Sequence, residues 1–216
     1  MQHAQTFDRH TQIKAPGAHL VVLEWRAPFE AFSSAALWPL LMRGPRGDGH
    51  TVLVLPGLAA SDSSTGTLRR FLKQRGYAPQ GWAQGRNLGP RPGVFKVGTP
   101  FTGHPKASNA WRFYEWLSRR KADDPKGFGP LSEAPAVPTT SIYSRTDGIV
   151  AWQCSIQQPA ARTENIEVRA SHVGMGAHPA VLYAVADRLA QPEGQWQPFH
   201  RDGVRRLIYG DAARAL

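Results

Sequence analysis

The run Thr51-Val52-Leu53-Val54-Leu55 constrains this chain more than any other stretch. It follows the turn cluster Gly44-Pro45-Arg46-Gly47-Asp48-Gly49 and stops at Pro56-Gly57. An apolar, β-branched run of that length between turn signals predicts a strand buried on both faces, the kind found in parallel sheets. Beyond it, Ser61, Asp62, Ser63 and Ser64 offer helix caps, and Leu68, Phe71 and Leu72 form an apolar stripe. Gly76 stands where a C-terminal cap belongs, and Tyr77 to Ala83 gives a second, weaker strand. Strand, loop, helix, strand is the start of an α/β unit.

Flanking segments extend the pattern. Phe29, Phe32, Ala36, Leu37, Leu40 and Leu41 recur at helical spacing, with Pro28 suited to a first turn and Pro39 to a kink. This helix is expected to pack on the domain. An amphipathic helix lying on a membrane surface is the alternative, disfavoured by the few basic residues of the stretch. Phe95–Thr99 reads as a strand. Ser108 to Lys121 reads as a helix on which Trp111, Tyr114, Phe113 and Trp116 leave almost no polar face. Ala122 to Pro138 is loop, Thr140–Tyr143 and Asn165–Val168 are strands, and Val181–Leu189 is a helix ended by Gln191-Pro192. The expected organisation is a flexible arm over residues 1–18 and one α/β domain over 19–216.

Composition narrows the function classes. Twenty-one Gly and eighteen Pro in 216 residues argue against a helical bundle, and seven Trp, nine Phe and five Tyr against a disordered chain. A net charge of +10 first suggests nucleic acid. The basic residues are spread along the chain, however, and the longest run is Arg119-Arg120-Lys121, so no nucleic-acid partner is expected. A single cysteine, Cys154, forms no internal disulfide. Met1 to His10 has no apolar leader, and the longest apolar stretch, Ala35 to Met42, is far below the ~18 residues of a membrane span. A cytoplasmic location is expected, membrane-surface contact stays open, and the oligomeric state is not readable.

Two loops carry the chemistry. Ser144-Arg145-Thr146-Asp147-Gly148 follows one expected strand, and Ser171-His172-Val173-Gly174 follows another. The C-terminal strand edge is where open α/β sheets build their sites. An Asp and a His placed there form the orienting half of a triad, the Asp fixing the tautomer of a His that serves as general base and acid. His104, Asp147, His172 and His178 show no metal-ligand spacing, so neither a metal nor a cofactor is expected. His178 is expected instead to mark the start of the last helix.

The chain resembles an α/β-hydrolase of the lipase/esterase type. The matching stretches are Gly47-Asp48-Gly49-His50 leading into Val52 to Leu58; Gly85-Arg86-Asn87-Leu88-Gly89; Gly98-Thr99-Pro100-Phe101; Asp147-Gly148-Ile149-Val150; and Ser171-His172-Val173-Gly174. Their order along the chain is that of the family. The resemblance implies that Asp147 is the triad acid, that His172 is the base, and that the backbone amides of Gly57 and Leu58 form part of an oxyanion hole. It also implies a small carboxylic ester or acyl substrate. The apolar helix suggests an acyl-binding wall at Trp111 and Tyr114.

One departure stands beside the resemblance. No Gly-x-Ser-x-Gly occurs anywhere in the sequence. The family places that motif between stretches corresponding to Asn87-Leu88-Gly89 and Gly98-Thr99, where only Pro90 to Val97 lie. A parallel crossover needs a dozen or more residues. The expectation is therefore a shortened sheet lacking its central strand and two adjoining helices, which must close over the gap or leave apolar faces bare. Ser63 in Asp62-Ser63-Ser64-Thr65-Gly66 reads as helix cap, Ser144 as a turn hydroxyl and Cys154 as a buried small hydrophobe. Two functions follow: an ester hydrolase, or an inactive shortened relative that binds an apolar ligand or a protein partner.

Overall fold

A computed structural model describes residues 13–88, 107–119 and 137–210. The chain is mixed α/β, and the described residues form four strands in two parallel pairs. Strand β1 (Thr51–Leu53) pairs with β2 (Ala78–Gln80), and β3 (Thr139–Ser144) pairs with β4 (Thr163–Val168). The helices are α1 (Ala18–Leu23), α2 (Ala27–Ala36), α3 (Trp38–Leu41), α4 (Gly66–Gln74), α5 (Trp111–Ser118), α6 (Pro179–Leu189) and α7 (Arg205–Ile208). Among the described residues, no helix is long and apolar enough to cross a membrane.

The α4 unit forms as its sequence dictates. Gly76 has φ +92° and its N–H reaches the Lys73 carbonyl, while the Tyr77 N–H reaches that of Leu72. This paired closure needs a left-handed residue at Gly76. Asp62 does not cap the helix. Its carboxylate accepts the Trp82 and Ala83 amides, 2.8 Å each, and so fastens the loop after β2.

Helix α6 joins the two halves. Ala180, Val181 and Ala184 pack with Ile166 and Val168 of β4, while Leu182 and Ala186 pack with Phe71, Leu72, Val54 and Tyr77. Tyr183 and Val185 touch both clusters. His178 begins the helix as expected, its Nδ1 accepting the Ala180 N–H.

The first strand corrects its expectation. It spans three residues, and Leu53 is 61% exposed rather than buried. The reason is topological: among the described residues β1 has only β2 beside it, so nothing covers its other side. Helix α5 presents aromatic rings outward. Phe113 and Trp116 stack on each other, 5.9 Å between ring centroids, and both are exposed. The expected strand at Phe95–Thr99 and most of the loop Ala122 to Pro138 lie outside the described residues.

Candidate acid–base site

The β3–β4 register sets the site. Ser144 pairs with Val168, so the two following loops leave the sheet side by side. The Ser144 hydroxyl is buried and accepts the amides of Thr146 and Ala170, tying one loop to the other. That is the turn role expected of it. Asp147 Oδ1 accepts the amides of Ile149 and Val150, both at 2.8 Å. The carboxylate is thereby held with Oδ2 toward His172 Nδ1, also at 2.8 Å.

Asp147 is buried, whereas the His172 ring is 44% exposed. A carboxylate accepts only, so Nδ1 carries the shared proton and Nε2 presents its lone pair. Burial alone would lower the imidazole pKa. The hydrogen bond and charge of Asp147, with Glu24 behind them, outweigh it and raise the value above 6.5. This arrangement can take a proton at Nε2 and stabilise the resulting imidazolium.

The structure adds three residues that the sequence reading did not single out. Glu24 Oε1 accepts the amides of Gly148 and His172, and Oε2 accepts that of Val173. Glu30 is buried, taking the Ser171 amide at 2.8 Å and the Ser171 hydroxyl at 2.6 Å. Arg26 bonds Glu30 at 2.8 Å and reaches over to the Thr146 carbonyl and hydroxyl. Burial would raise the Glu30 pKa, but the Ser171 and Arg26 bonds hold it below 4.5. The first helical segment thus clamps both site loops. One signal was available: Glu24 and Glu30 are the only acids between Ile13 and Gly47.

Two glycines permit that closeness. A Cβ at Gly148 would strike the Leu20 carbonyl and the Val21 backbone. One at Gly174 would strike the Glu30 carboxylate and Ala27 Cα.

The other expected residues are placed as follows. Gly57 and Leu58 follow β1 in a loop tied to Asn87 by the pairs Ala59 N–H to Asn87 carbonyl and Asn87 N–H to Ala60 carbonyl. Among the described residues, the Gly57 and Leu58 amides donate to no backbone carbonyl. Trp111 is half-buried beside Arg112, and the Tyr114 side chain lies outside the described part. The Ser61 and Ser63 hydroxyls bond each other and the Ser64 hydroxyl donates to the Ser61 carbonyl, so none of them caps α4 as expected, the position before that helix being Thr65. Cys154 is buried and its thiol is pushed up to about 11, which leaves it no thiolate at neutral pH. Among the described residues, no three His, Cys, Asp or Glu side chains are placed to hold a metal ion. Comparison of the chain with protein-family models, curated proteins and solved structures finds no match.

Proposed function

We propose that this chain is a shortened α/β-hydrolase-type domain of the carboxylic-ester hydrolase kind, carrying the acid–base half of a Ser-His-Asp centre. One observation carries the reading: a buried Asp147, fixed by two backbone amides, holds Nδ1 of a half-exposed His172 at the end of adjacent parallel strands. The parallel pairing of β1 with β2 and of β3 with β4 supports it, since the strands of that fold are mostly parallel.

In this reading His172 Nε2 takes the proton of the attacking oxygen as that oxygen bonds to the ester carbonyl carbon. Asp147 stabilises the imidazolium, which then protonates the departing alkoxide. The Gly57 and Leu58 amides are assigned to the oxyanion, and Trp111 and Tyr114 to the acyl chain.

A second reading rests on a different observation. Among the described residues, no hydroxyl or thiol hydrogen-bonds to His172 Nε2. On that reading the domain binds an apolar ligand or protein partner without turnover. Labelling with a fluorophosphonate probe, followed by peptide mapping, separates the two. Labelling of one serine that disappears in His172→Ala supports a working serine hydrolase. A folded protein that takes no label, and hydrolyses an activated ester no faster than His172→Ala does, refutes the catalytic reading.

A further inference from the structure

The clamp that holds the site loops has an outer side. From Ala18 to Ala36 the backbone stays right-handed helical, through α1, a short 3-10 turn at Glu24–Arg26, and α2. Its inward line is polar or small: Glu24, Ala27, Glu30 and Ser34, three or four residues apart. Its outward line is apolar. Val22, Trp25, Phe29 and Phe32 recur at the same spacing, with Trp25 83%, Phe29 75% and Phe32 74% exposed, and Leu40 of α3 lies exposed beyond them. An amphipathic helix on a protein normally turns its apolar stripe to the core. Here the stripe faces solvent because both carboxylates are needed inside.

Charge decides what fits this face. Between residues 13 and 47 both acids point inward and accept hydrogen bonds, while Lys14, Arg43 and Arg46 are exposed. The next acid along the chain, Asp48, is exposed and bonded to His50. A contiguous exposed apolar row marks an interaction surface rather than scattered surface residues. Two copies placed face to face would bring these cations together, which disfavours a self-interface. Aromatic and aliphatic side chains on a segment, residues 13–47, that carries exposed cations and no exposed acid match an anionic bilayer surface, where rings enter the headgroup boundary and the cations meet phosphates.

We infer that the α1–α3 ribbon docks this protein onto anionic lipid membranes, with Trp25, Phe29 and Phe32 inserted and Lys14, Arg43 and Arg46 on the headgroups. The inference does not depend on any catalytic activity of the domain.

Vesicle flotation of the full chain tests it. Phosphatidylserine-rich vesicles should carry the protein, phosphatidylcholine vesicles should carry less, and high salt should weaken the difference. The triple variant Trp25→Ala, Phe29→Ala, Phe32→Ala should bind anionic vesicles at least about tenfold more weakly. These side chains lie outside the core, so circular dichroism should show the wild-type fold. Quenching by brominated lipids gives an independent readout: Trp25→Phe, which keeps an apolar ring, should still bind but lose quenched fluorescence. No flotation, equal flotation of the triple variant, or unchanged quenching in Trp25→Phe would each overturn the inference. So would a dimer in sedimentation equilibrium that the triple variant dissolves while neither protein floats.

Discussion

Glu30→Ala should cost about 3–5 kcal/mol of stability, because it removes a buried charged acceptor from donors that cannot reach water. Glu30 takes the Ser171 amide and hydroxyl at 2.8 and 2.6 Å, and Ser171 is fully buried. Hydrogen bonds to a charged group contribute about 1.5–3 kcal/mol each, and two are lost with no replacement. Arg26 adds little to the loss, since it is partly exposed and keeps Thr146 as partner. Glu30→Gln retains a carbonyl acceptor in the same place and should cost only about 1–2 kcal/mol. Urea titration reads both through the midpoint at constant slope. The His172 imidazole resonances supply a second readout, because Ser171 immediately precedes that residue. A Glu30→Ala midpoint shift worth less than about 1 kcal/mol would refute the clamp as a stabilising device.

Other outcomes are specific to single groups. The His172 pKa should lie above 6.5 by NMR titration and fall in Asp147→Asn. Since that value is raised on folding, the pair's contribution to stability is complete below the unfolded pKa and fades as pH rises through the folded one; any His172-dependent ester hydrolysis should rise over the same interval. Glu30 has the opposite sign: its lowered pKa means its contribution is present above 4.5 and disappears as acid titrates the folded carboxylate. Gly174→Ala should destabilise by about 1–3 kcal/mol in thermal melts, because its new methyl meets Glu30 and the Ala27 backbone. Cys154 should resist thiol reagents at neutral pH until the protein is unfolded, being buried with a thiol pushed to about 11.

Local patterns made the α/β class legible. The α4 stripe, its Gly76 cap and the His178 helix start could be read because each depends on a few neighbouring residues. Asp147 and His172 could be read as a pair because both follow a strand, and parallel pairing at the Ser144–Val168 register brings those ends together. Depth of burial could not be read at Leu53, since an apolar strand residue is covered only if another element arrives beside it. Glu24 and Glu30 escaped for a related reason. Their partners lie 124 to 149 residues away along the chain, and no helical periodicity encodes which face of a segment a distant loop will occupy. The same ignorance of the inner face made the outward apolar line look like core.

The long reach of these carboxylates also fixes an order of events. Glu24 and Glu30 are made early in synthesis, whereas Ser171, His172 and Val173 emerge near the end. Until then the first helices have no loop to hold, and Asp147 has no imidazole to orient. Closing contacts over so many residues comes late in folding, because chain entropy opposes it until the sheet and α6 have brought the parts together. An Asp147–His172 contact clamped by Glu24 in this protein therefore reports that the chain has folded from α1 through β4.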